Sequence, residues 1–546
     1  MTTMAEPVVR VPARSRRWLE ELVSPGGLFV SAVMILALFP VTSIIRDPDF
    51  WWHLRAGQLI VDNGALLGTD PFTYTVSSHA WTMHEWLSEV FFAVVQRAGG
   101  LGPIVLVLSL VTWIGLVCIL LRAAMRAPNR FVLGLGMLLA VIAGYPIWGP
   151  RVQMITFCFS ALTLLLVERH LVRGGRAIWL LVPLFLLWSN LHSGFIIGLG
   201  FIAVVVVAEI VGGRLGMPDG ASAARVRALI PVLVASAVVS MVNPNGPGIL
   251  LYAFQTQTSA AQQALILEWH SPDFHDWVVL PFGIMLVSLI ALITANRHLR
   301  ARDAALVLVT AALALQSVRH IALFVAAAAP VWINQADLLL LRRRRRVAVQ
   351  RRPASMPPLR LRVLTFAALA VTLLAAFVAG RLVPAMRTQP GALVYAQEFP
   401  VCATRWLATV HRPLNIFNQY GEGGFLSYQL SSKGDKVFVF GDAALMGDAL
   451  LYRYAAVEAV QPSWDSIIRG AGTDIVLFDT GTPLANLLAH STRWAKVYQD
   501  PLSVAFVPVD KLASLQLPPA PASYPAGDPC SQLTVTSSVN GGTQNP

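Results

Sequence analysis

The stretch Arg46-Asp47-Pro48-Asp49-Phe50-Trp51-Trp52-His53-Leu54 follows directly on the first strongly apolar segment of the chain. It brings two carboxylates, an arginine, a histidine and two tryptophans to the point where a chain would leave a membrane. Two interpretations fit these residues. The stretch either begins a capped helix lying along the membrane surface, or it supplies the reactive groups of a site.

The composition is that of a protein that crosses a membrane many times. Of the 546 residues, 55% are hydrophobic and only 13% are charged, whereas soluble domains carry about 25% charged residues. The apolar residues come in long blocks, as in transmembrane helices. We therefore predict a polytopic α-helical membrane protein with about eleven transmembrane helices. The predicted spans are 27–45, 101–121, 131–148, 152–167, 177–189, 195–211, 228–242, 278–295, 304–315, 321–334 and 361–380.

The positive charge follows the topology of such a protein. The formal net charge is +12, but the part from Pro384 onward carries 10 Lys and Arg against 12 Asp and Glu. The basic excess lies in short connectors between apolar blocks, at 14–17, 122–130, 169–176, 297–302 and 342–352. Cytoplasmic loops have this bias. The pattern predicts a cytoplasmic N-terminus and argues against a nucleic-acid partner.

Four parts of the chain differ in composition. Residues 1–26 form a basic cytoplasmic N-terminus, and 27–382 form the transmembrane domain with a large first outer loop at 46–100. Residues 383–517 alternate strands (437–440, 475–478) with helices (402–410, 444–454, 483–489), which predicts an extracytoplasmic α/β domain. Cys402 and Cys530 flank it and could form a disulfide outside the cytoplasm. Residues 518–546 are rich in Pro, Ser, Thr and Gly and predict a disordered tail.

Most of the non-basic polar residues of the membrane half fall on one face. The predicted topology places five short tips beside the first loop: 149–153, 189–194, 243–247, 268–273 and 316–320. Arg151 and Arg319 lie in these tips, where arginine is costly unless it pairs or meets an anion. Two explanations stay open: binding of a lipid-linked phosphate, or ion pairs with Asp47, Asp49, Glu85 or Glu268 that hold the loops together.

Each candidate site residue also has a structural explanation. Asp47 before Pro48 can cap a helix that Gly64 closes, and Glu85 can belong to a capping box. Asp49 lies in the first turn, and its carboxylate could take a proton from a hydroxyl or bind Mg²⁺ or Mn²⁺ with Asp47. The loop tryptophans could form an interfacial belt or stack on a sugar. The remaining candidates for substrate binding are Trp52, His53, His84, Glu85, Arg151, Asn190, His192, Arg319 and His320.

The order and spacing of several short motifs resemble the GT-C superfamily of integral membrane glycosyltransferases, within a bacterial family of polytopic membrane proteins. The motifs are Asp47-Pro48-Asp49-Phe50-Trp51-Trp52-His53-Leu54, Asp70-Pro71-Phe72-Thr73-Tyr74-Thr75, Trp81 with His84-Glu85-Trp86-Leu87, Trp188-Ser189-Asn190-Leu191-His192-Ser193-Gly194, Asn243-Pro244-Asn245-Gly246, and Phe417-Asn418-Gln419-Tyr420-Gly421-Glu422-Gly423-Gly424-Phe425-Leu426.

The resemblance implies a polyprenyl-phosphate-linked sugar as donor, an acceptor outside the cytoplasm, and a place in the bacterial inner membrane. It also implies that an acidic residue of the first loop acts as base or metal ligand, and this role carries onto Asp47 and Asp49. A transporter or flippase, or a non-catalytic scaffold, are the alternatives. The transferase interpretation predicts that Arg151, Asn190, His192, Arg319 and His320 gather around the loop beginning at Arg46.

Overall fold

The computed structural model describes residues 19–126, 128–346 and 356–533. A helix lies at each of the eleven predicted spans. In chain order these are Pro25–Val41, Leu101–Ala124, Arg130–Ala143, Gln153–Arg173, Arg176–Leu191, Phe195–Arg214, Ala223–Val239, Leu280–Asn296, Ala301–Gln316, Ile321–Arg346 and Leu359–Arg387.

Five of the described helices are long and apolar enough to cross a bilayer: Leu101–Ala124, Gln153–Arg173, Phe195–Arg214, Val318–Arg343 and Leu359–Arg387. Apolar side chains also face outward on the other helices, for example Leu308, which is 72% exposed. Such apolar surfaces are stable in contact with the hydrocarbon core of a bilayer. The chain is therefore a membrane protein, and the number of crossings remains a prediction.

Buried ion pairs join several helices at the end opposite the first loop. Glu168 contacts the guanidinium groups of Arg126, Arg300 and Arg302, the last at 3.1 Å. Arg302 also bonds Glu209 of the neighbouring helix. The three arginines come from connectors predicted to be cytoplasmic, Glu168 directly precedes another of them, and Glu209 lies near the end of the predicted span 195–211. Paired charges of this kind fix helix ends against one another, because separating them leaves buried charge.

Two helices form most of the first loop. Asp49–Asn63, which we call the aspartate helix, packs against Trp86–Gly99. The helices approach closely at Gly57, where an added Cβ would lie 1.9 Å from the Glu89 carbonyl oxygen. Two further helices, Gly248–Thr258 and Ala260–Leu265, lie between the membrane helices and the C-terminal domain.

The C-terminal domain contains a five-stranded mixed sheet. Its strands are β1 (Asn415–Asn418), β2 (Lys436–Val437), β3 (Ile475–Asp479), β4 (Trp494–Gln499) and β5 (Ser503–Pro508), in the order β2-β1-β3-β5-β4. The first three are parallel, and β5 and β4 are antiparallel to their neighbours. The helices are Leu393–Ala396, Val401–Ala408, Gly423–Leu430, Ala443–Glu458, Trp464–Gly470, Pro483–Ala489 and Leu512–Leu515. The predicted helices and the strand at 475–478 are present, the strand predicted at 437–440 is reduced to Lys436–Val437, and β1, β4 and β5 are additional.

The first loop extends this sheet at its β2 edge. The backbone N–H of Tyr74 donates to the Val437 carbonyl at 3.2 Å, and the Val437 N–H donates to the Phe72 carbonyl at 3.0 Å. The domain therefore covers the loop. Trp51 and Trp52 are buried under it, 0% and 3% exposed, so the interfacial belt, one of the two explanations for the loop tryptophans, does not apply to them.

The segment after residue 517 also packs onto the domain. The Trp406 indole N–H donates to the Pro518 carbonyl at 3.1 Å, and the Tyr524 and Tyr498 hydroxyls lie 3.0 Å apart. The predicted disulfide between Cys402 and Cys530 is formed. Residues 518–533 are thus ordered where a disordered tail was predicted, because the disulfide and aromatic contacts outweigh their polar composition. The predictions for 534–546 and 1–18 lie outside the described residues.

Candidate functional site

Two aspartates stand at the start of the aspartate helix. Asp47 Oδ1 accepts the backbone N–H of Asp49 at 3.1 Å, and Gly64 closes the helix with a φ of 65°. Both features agree with the cap signals in the sequence. The cap occupies only one carboxylate oxygen of Asp47, and the other faces Arg151.

Arg151 lies between two carboxylates. Its Nε is 3.3 Å from Asp47 Oδ2, and its Nη2 bonds Glu268. Burial alone would lower the pKa of Arg151, but Glu268 and Asp47 outweigh it and raise the pKa. The sequence left two explanations open for Arg151, phosphate binding and ion pairing. In the structure, its near partners are carboxylates.

The Asp49 carboxylate accepts a hydrogen bond from an indole and lies near the negative charge of Asp47. Its Oδ1 accepts the Trp52 Nε1–H at 3.2 Å. Burial and the charge of Asp47 raise the pKa of Asp49 to about 7, against the opposing effect of His53. A carboxylate with this pKa can accept a proton near neutral pH and retain it through a reaction step.

The C-terminal domain closes over this carboxylate with two glycines. A Cβ on Gly441 would lie 1.5 Å from Asp49 Oδ1, and a Cβ on Gly424 would lie 2.6 Å from the Pro48 carbonyl oxygen. Only glycine permits such approaches. The Asp49 site is therefore shared by the first loop and the C-terminal domain.

Five ionisable side chains form a buried histidine–glutamate cluster next to the aspartates. His53 lies 3.1 Å from Glu85 through Nε2 and 3.1 Å from Glu89 through Nδ1. The Glu85 Oε1 lies 3.2 Å from His84 Nε2 and 3.4 Å from His192 Nε2. Glu85 precedes the helix Trp86–Gly99 without a side-chain cap bond, so the capping-box interpretation is wrong.

The cluster separates charged from neutral histidines. Burial alone would lower the pKa of His53, but Glu85 and Glu89 outweigh it and raise the pKa to about 9. Burial lowers the pKa of His192 to about 4, and its Nδ1 accepts the Gly194 N–H at 2.9 Å. His53 is thus a cation at neutral pH, one helical turn from Asp49.

Arg319 stands at the edge of the site over an aromatic ring. Its guanidinium carbon lies 4.6 Å from the centre of the Trp269 ring. Within the described residues, Arg319 forms no ion pair with a carboxylate. The Ser317 hydroxyl donates to the Glu268 carbonyl at 2.7 Å, which joins this tip to that of Glu268. The neighbouring His320 contacts the Leu313 carbonyl through Nδ1.

Asn190 ties two further tips to the first loop. Its Oδ1 accepts the Trp86 Nε1–H at 2.9 Å, and its Nδ2 donates to the Leu186 and Val242 carbonyls. Asn245 donates to the Met83 carbonyl at 3.3 Å. The five polar tips thus contact the first loop or each other. Arg151, Asn190 and His192 contact the first loop, whereas Arg319 and His320 lie in a tip that is joined to Glu268. The roles assigned to these side chains remain proposals.

Sequence reasoning missed three parts of the site. Glu89 lies on an amphipathic helix, and nothing in its local sequence indicates a histidine partner. Gly441 follows a strand and carries no signal of the carboxylate it meets. Asp442 caps the helix Ala443–Glu458 and accepts the Trp81 indole N–H at 2.8 Å, and its local sequence does not indicate the contact with the first loop.

The aspartate pair fits a divalent cation poorly. The space between Asp47 and Glu268 is bridged by Arg151, and both oxygens of Asp47 are engaged. Across residues 19–126, 128–346 and 356–533, no three His, Cys, Asp or Glu side chains are arranged to hold a metal. The Arg151 guanidinium supplies the positive charge that a metal ion would bring to these carboxylates.

Comparison with solved structures finds matches to membrane glycosyltransferases. The chain matches the oligosaccharyltransferase AglB from Archaeoglobus fulgidus, solved with an inhibitory peptide and a dolichol-phosphate, at 12% identity and a TM-score of 0.54, over 86% of this chain and 70% of that one. ArnT from Cupriavidus metallidurans bound to undecaprenyl phosphate matches at 14% identity and a TM-score of 0.43, over 93% and 100%. The arabinofuranosyltransferase AftD from Mycobacteria matches at 16% identity and a TM-score of 0.44, over 90% and 40%.

All three are GT-C superfamily proteins. The match to the oligosaccharyltransferase shows that this chain has the GT-C fold, as the sequence resemblance predicted. No protein-family model and no curated protein matches the sequence.

Proposed function

We propose that the chain is a membrane glycosyltransferase that moves a sugar from a polyprenyl-phosphate-linked donor to an acceptor hydroxyl outside the cytoplasm. The observation that carries this proposal is the Asp49 carboxylate, with a pKa of about 7, at the junction of the membrane helices, the first loop and the C-terminal domain. The GT-C fold supports it, since the AglB structure contains a dolichol-phosphate.

In the proposed reaction, the acceptor oxygen attacks the anomeric carbon of the donor sugar. The new C–O bond forms as the bond between that carbon and the phosphate oxygen breaks, and the polyprenyl phosphate leaves with the electron pair. Asp49 takes the acceptor proton as general base. His53, cationic on the next turn, stabilises the ionised form of Asp49, and Trp52 orients its carboxylate.

Arg319 is the proposed ligand of the phosphate. It is half-buried, it forms no ion pair with any described carboxylate, and it lies in the tip that contacts Glu268. A guanidinium can hold two phosphate oxygens and stabilise their charge as the sugar leaves. Arg151, already held by Asp47 and Glu268, positions the aspartate helix. The remaining candidates, His84, Glu85, Asn190, His192 and His320, shape the walls of the site.

The topology and location are part of the same proposal. Eleven crossings with the N-terminus inside place the first loop and C-terminal domain outside the bacterial cytoplasmic membrane. The arginine-rich network around Glu168 then lies on the cytoplasmic side, in agreement with the positive-inside rule. The contact of the polar tips with the first loop favours a transferase over a transporter, whose polar residues concentrate near the membrane midplane.

The test is consumption of a radiolabelled polyprenyl-phosphate sugar by the purified chain in lipid nanodiscs. We expect turnover by the wild type and loss of turnover in Asp49→Asn. Asp62→Asn, an exposed change on the same helix, is the matched control and should retain activity. Turnover that survives Asp49→Asn would remove the catalytic assignment, and absence of turnover with every polyprenyl-phosphate sugar would remove the proposed function.

A further inference from the structure

A polar pocket of about 180 Å³ lies beside the Asp49 site, between the helices Gly248–Thr258 and Ala443–Glu458. Two short paths connect it to Asp49. Gly441 touches the Asp49 carboxylate, and the next residue, Asp442, lines the pocket. Trp52 donates to Asp49, and its ring lies 5.9 Å from that of Trp81, which also lines the pocket.

The pocket presents aromatic surfaces together with polar groups. Trp81 and Tyr252 line it, the latter packed on His84 with ring centres 4.5 Å apart. Asp448 accepts the Ser259 hydroxyl at 2.6 Å on another wall. Flat aromatic surfaces next to fixed hydrogen-bonding groups suit ligands that have both C–H faces and hydroxyl groups.

Two amide side chains in the pocket have unused hydrogen-bonding capacity. Gln262 is only 4% exposed, and neither its amide nor that of Gln255 bonds to any protein group in the described residues. Neither amide is among the buried groups of the described residues that lack a partner, so both are open to water or to a ligand that enters the pocket. Each amide offers two donors and one acceptor oxygen to such a ligand.

A break in one helix widens the pocket. Gly447 has φ 75° and ψ 155° inside Ala443–Glu458, a backbone conformation that favours glycine. No atom lies within 4 Å of the position that a Cβ on Gly447 would occupy. The kink leaves open space at the pocket wall rather than closing it.

We propose that this pocket binds a terminal monosaccharide unit of the acceptor, so that the acceptor is a glycan. The inference rests on the proposed transferase function and assigns its acceptor class. The pocket has room for about one sugar ring, and its amides, carboxylates and aromatic surfaces match a polyhydroxylated ring. The polar lining disfavours an acyl chain. A sugar bound there presents a hydroxyl toward the Gly441 edge, where Asp49 lies.

Binding of free glycans tests this without the transfer reaction. The full-length chain in nanodiscs is applied to an oligosaccharide array and, in parallel, to a peptide library, with no donor present. We expect glycans that share one terminal sugar to bind. Ala444→Trp, which fills the pocket, should weaken this binding about tenfold or more, because the ring loses its room. Ala449→Trp, exposed on the same helix outside the pocket, should bind as the wild type does.

A second variant covers the case in which Ala444→Trp fails to fold. Gln255→Ala removes one exposed amide and should weaken glycan binding severalfold with an unchanged melting temperature. Three outcomes would each overturn the inference. They are the absence of glycan binding, glycan binding that is unchanged in both pocket variants, and peptide binding that is lost in Ala444→Trp. The proposed transferase function stands or falls separately on donor turnover.

Discussion

The carboxylate of Asp49 occupies the space that a side chain on Gly441 would require. Asp49 begins the first helix of the first loop, and Gly441 follows a strand of the C-terminal domain. The proposed base therefore depends on a glycine in another domain for its position, which allows a direct test.

Gly441→Ala should reduce sugar transfer by about 100-fold, since an added methyl group displaces Asp49 and a shift of about 1 Å can have this effect. The backbone of Gly441 has no positive φ in the described structure, so alanine is conformationally allowed there. Gly421→Ala, which meets nothing within 4 Å, is the control. Equal activity of the two variants in the donor-turnover assay would show that Asp49 does not need this contact.

The transfer rate should rise with pH through about 7. Asp49 must be ionised to accept a proton, and burial with the charge of Asp47 raises its pKa to about 7. A pH profile of kcat/KM from 5 to 9 measures this. A profile that is flat across neutral pH would exclude Asp49 as the titrating base.

The same pKa shift predicts a stability effect in Asp49→Asn. The folded chain binds the Asp49 proton more tightly than the unfolded chain, whose pKa is about 3.9, so stability from this group falls as the pH rises from about 4 to about 7. Asparagine avoids burying this charge. Asp49→Asn should therefore melt at a higher temperature than the wild type at pH 8, with a smaller difference near pH 4. A lower melting temperature at pH 8 contradicts this expectation.

Arg151→Met should destabilise the chain by about 3–5 kcal/mol, because Asp47 and Glu268 both lose their ion-pair partner and Glu268 keeps only the charge of Arg319 nearby. Arg151→Met/Glu268→Gln removes one of the two stranded charges and should recover part of the loss. Thermal unfolding in nanodiscs measures both variants. If Arg151 instead binds donor phosphate, the single variant will raise the donor KM with little change in melting temperature.

Arg319→Gln should raise the KM for the polyprenyl-phosphate donor about tenfold or more, since a charge-assisted bond to phosphate is lost. Its melting temperature should fall less than that of Arg151→Met, because Arg319 forms no ion pair with a described carboxylate. Its charge only adds to that of Arg151 in lowering the pKa of Glu268. Arg453→Gln, exposed in the C-terminal domain, serves as control. A donor KM that is the same in both variants argues against a phosphate role for Arg319.

Local signals predicted the elements better than the contacts between them. The cap signals at Asp47 and Gly64 predicted the aspartate helix, and the apolar blocks predicted the membrane helices. The ion pairs of Arg151 were one of two open alternatives, because a boundary arginine suits both carboxylates and phosphate. The burial of Trp51 could not be predicted, since its cover comes from a domain distant in sequence. Residues 518–533 show the same limit, because a disulfide partner decided their order.

The backbone pairing of Thr73 with Val437 has a consequence for biosynthesis. Asp49 leaves the ribosome early, whereas Gly441 and the β2 edge are made only after the last membrane helix. During the interval, the loop tryptophans have no cover. A nascent chain therefore carries its base without the surface that positions it, and the site is assembled only after the helix Leu359–Arg387 and the β2 edge have been made.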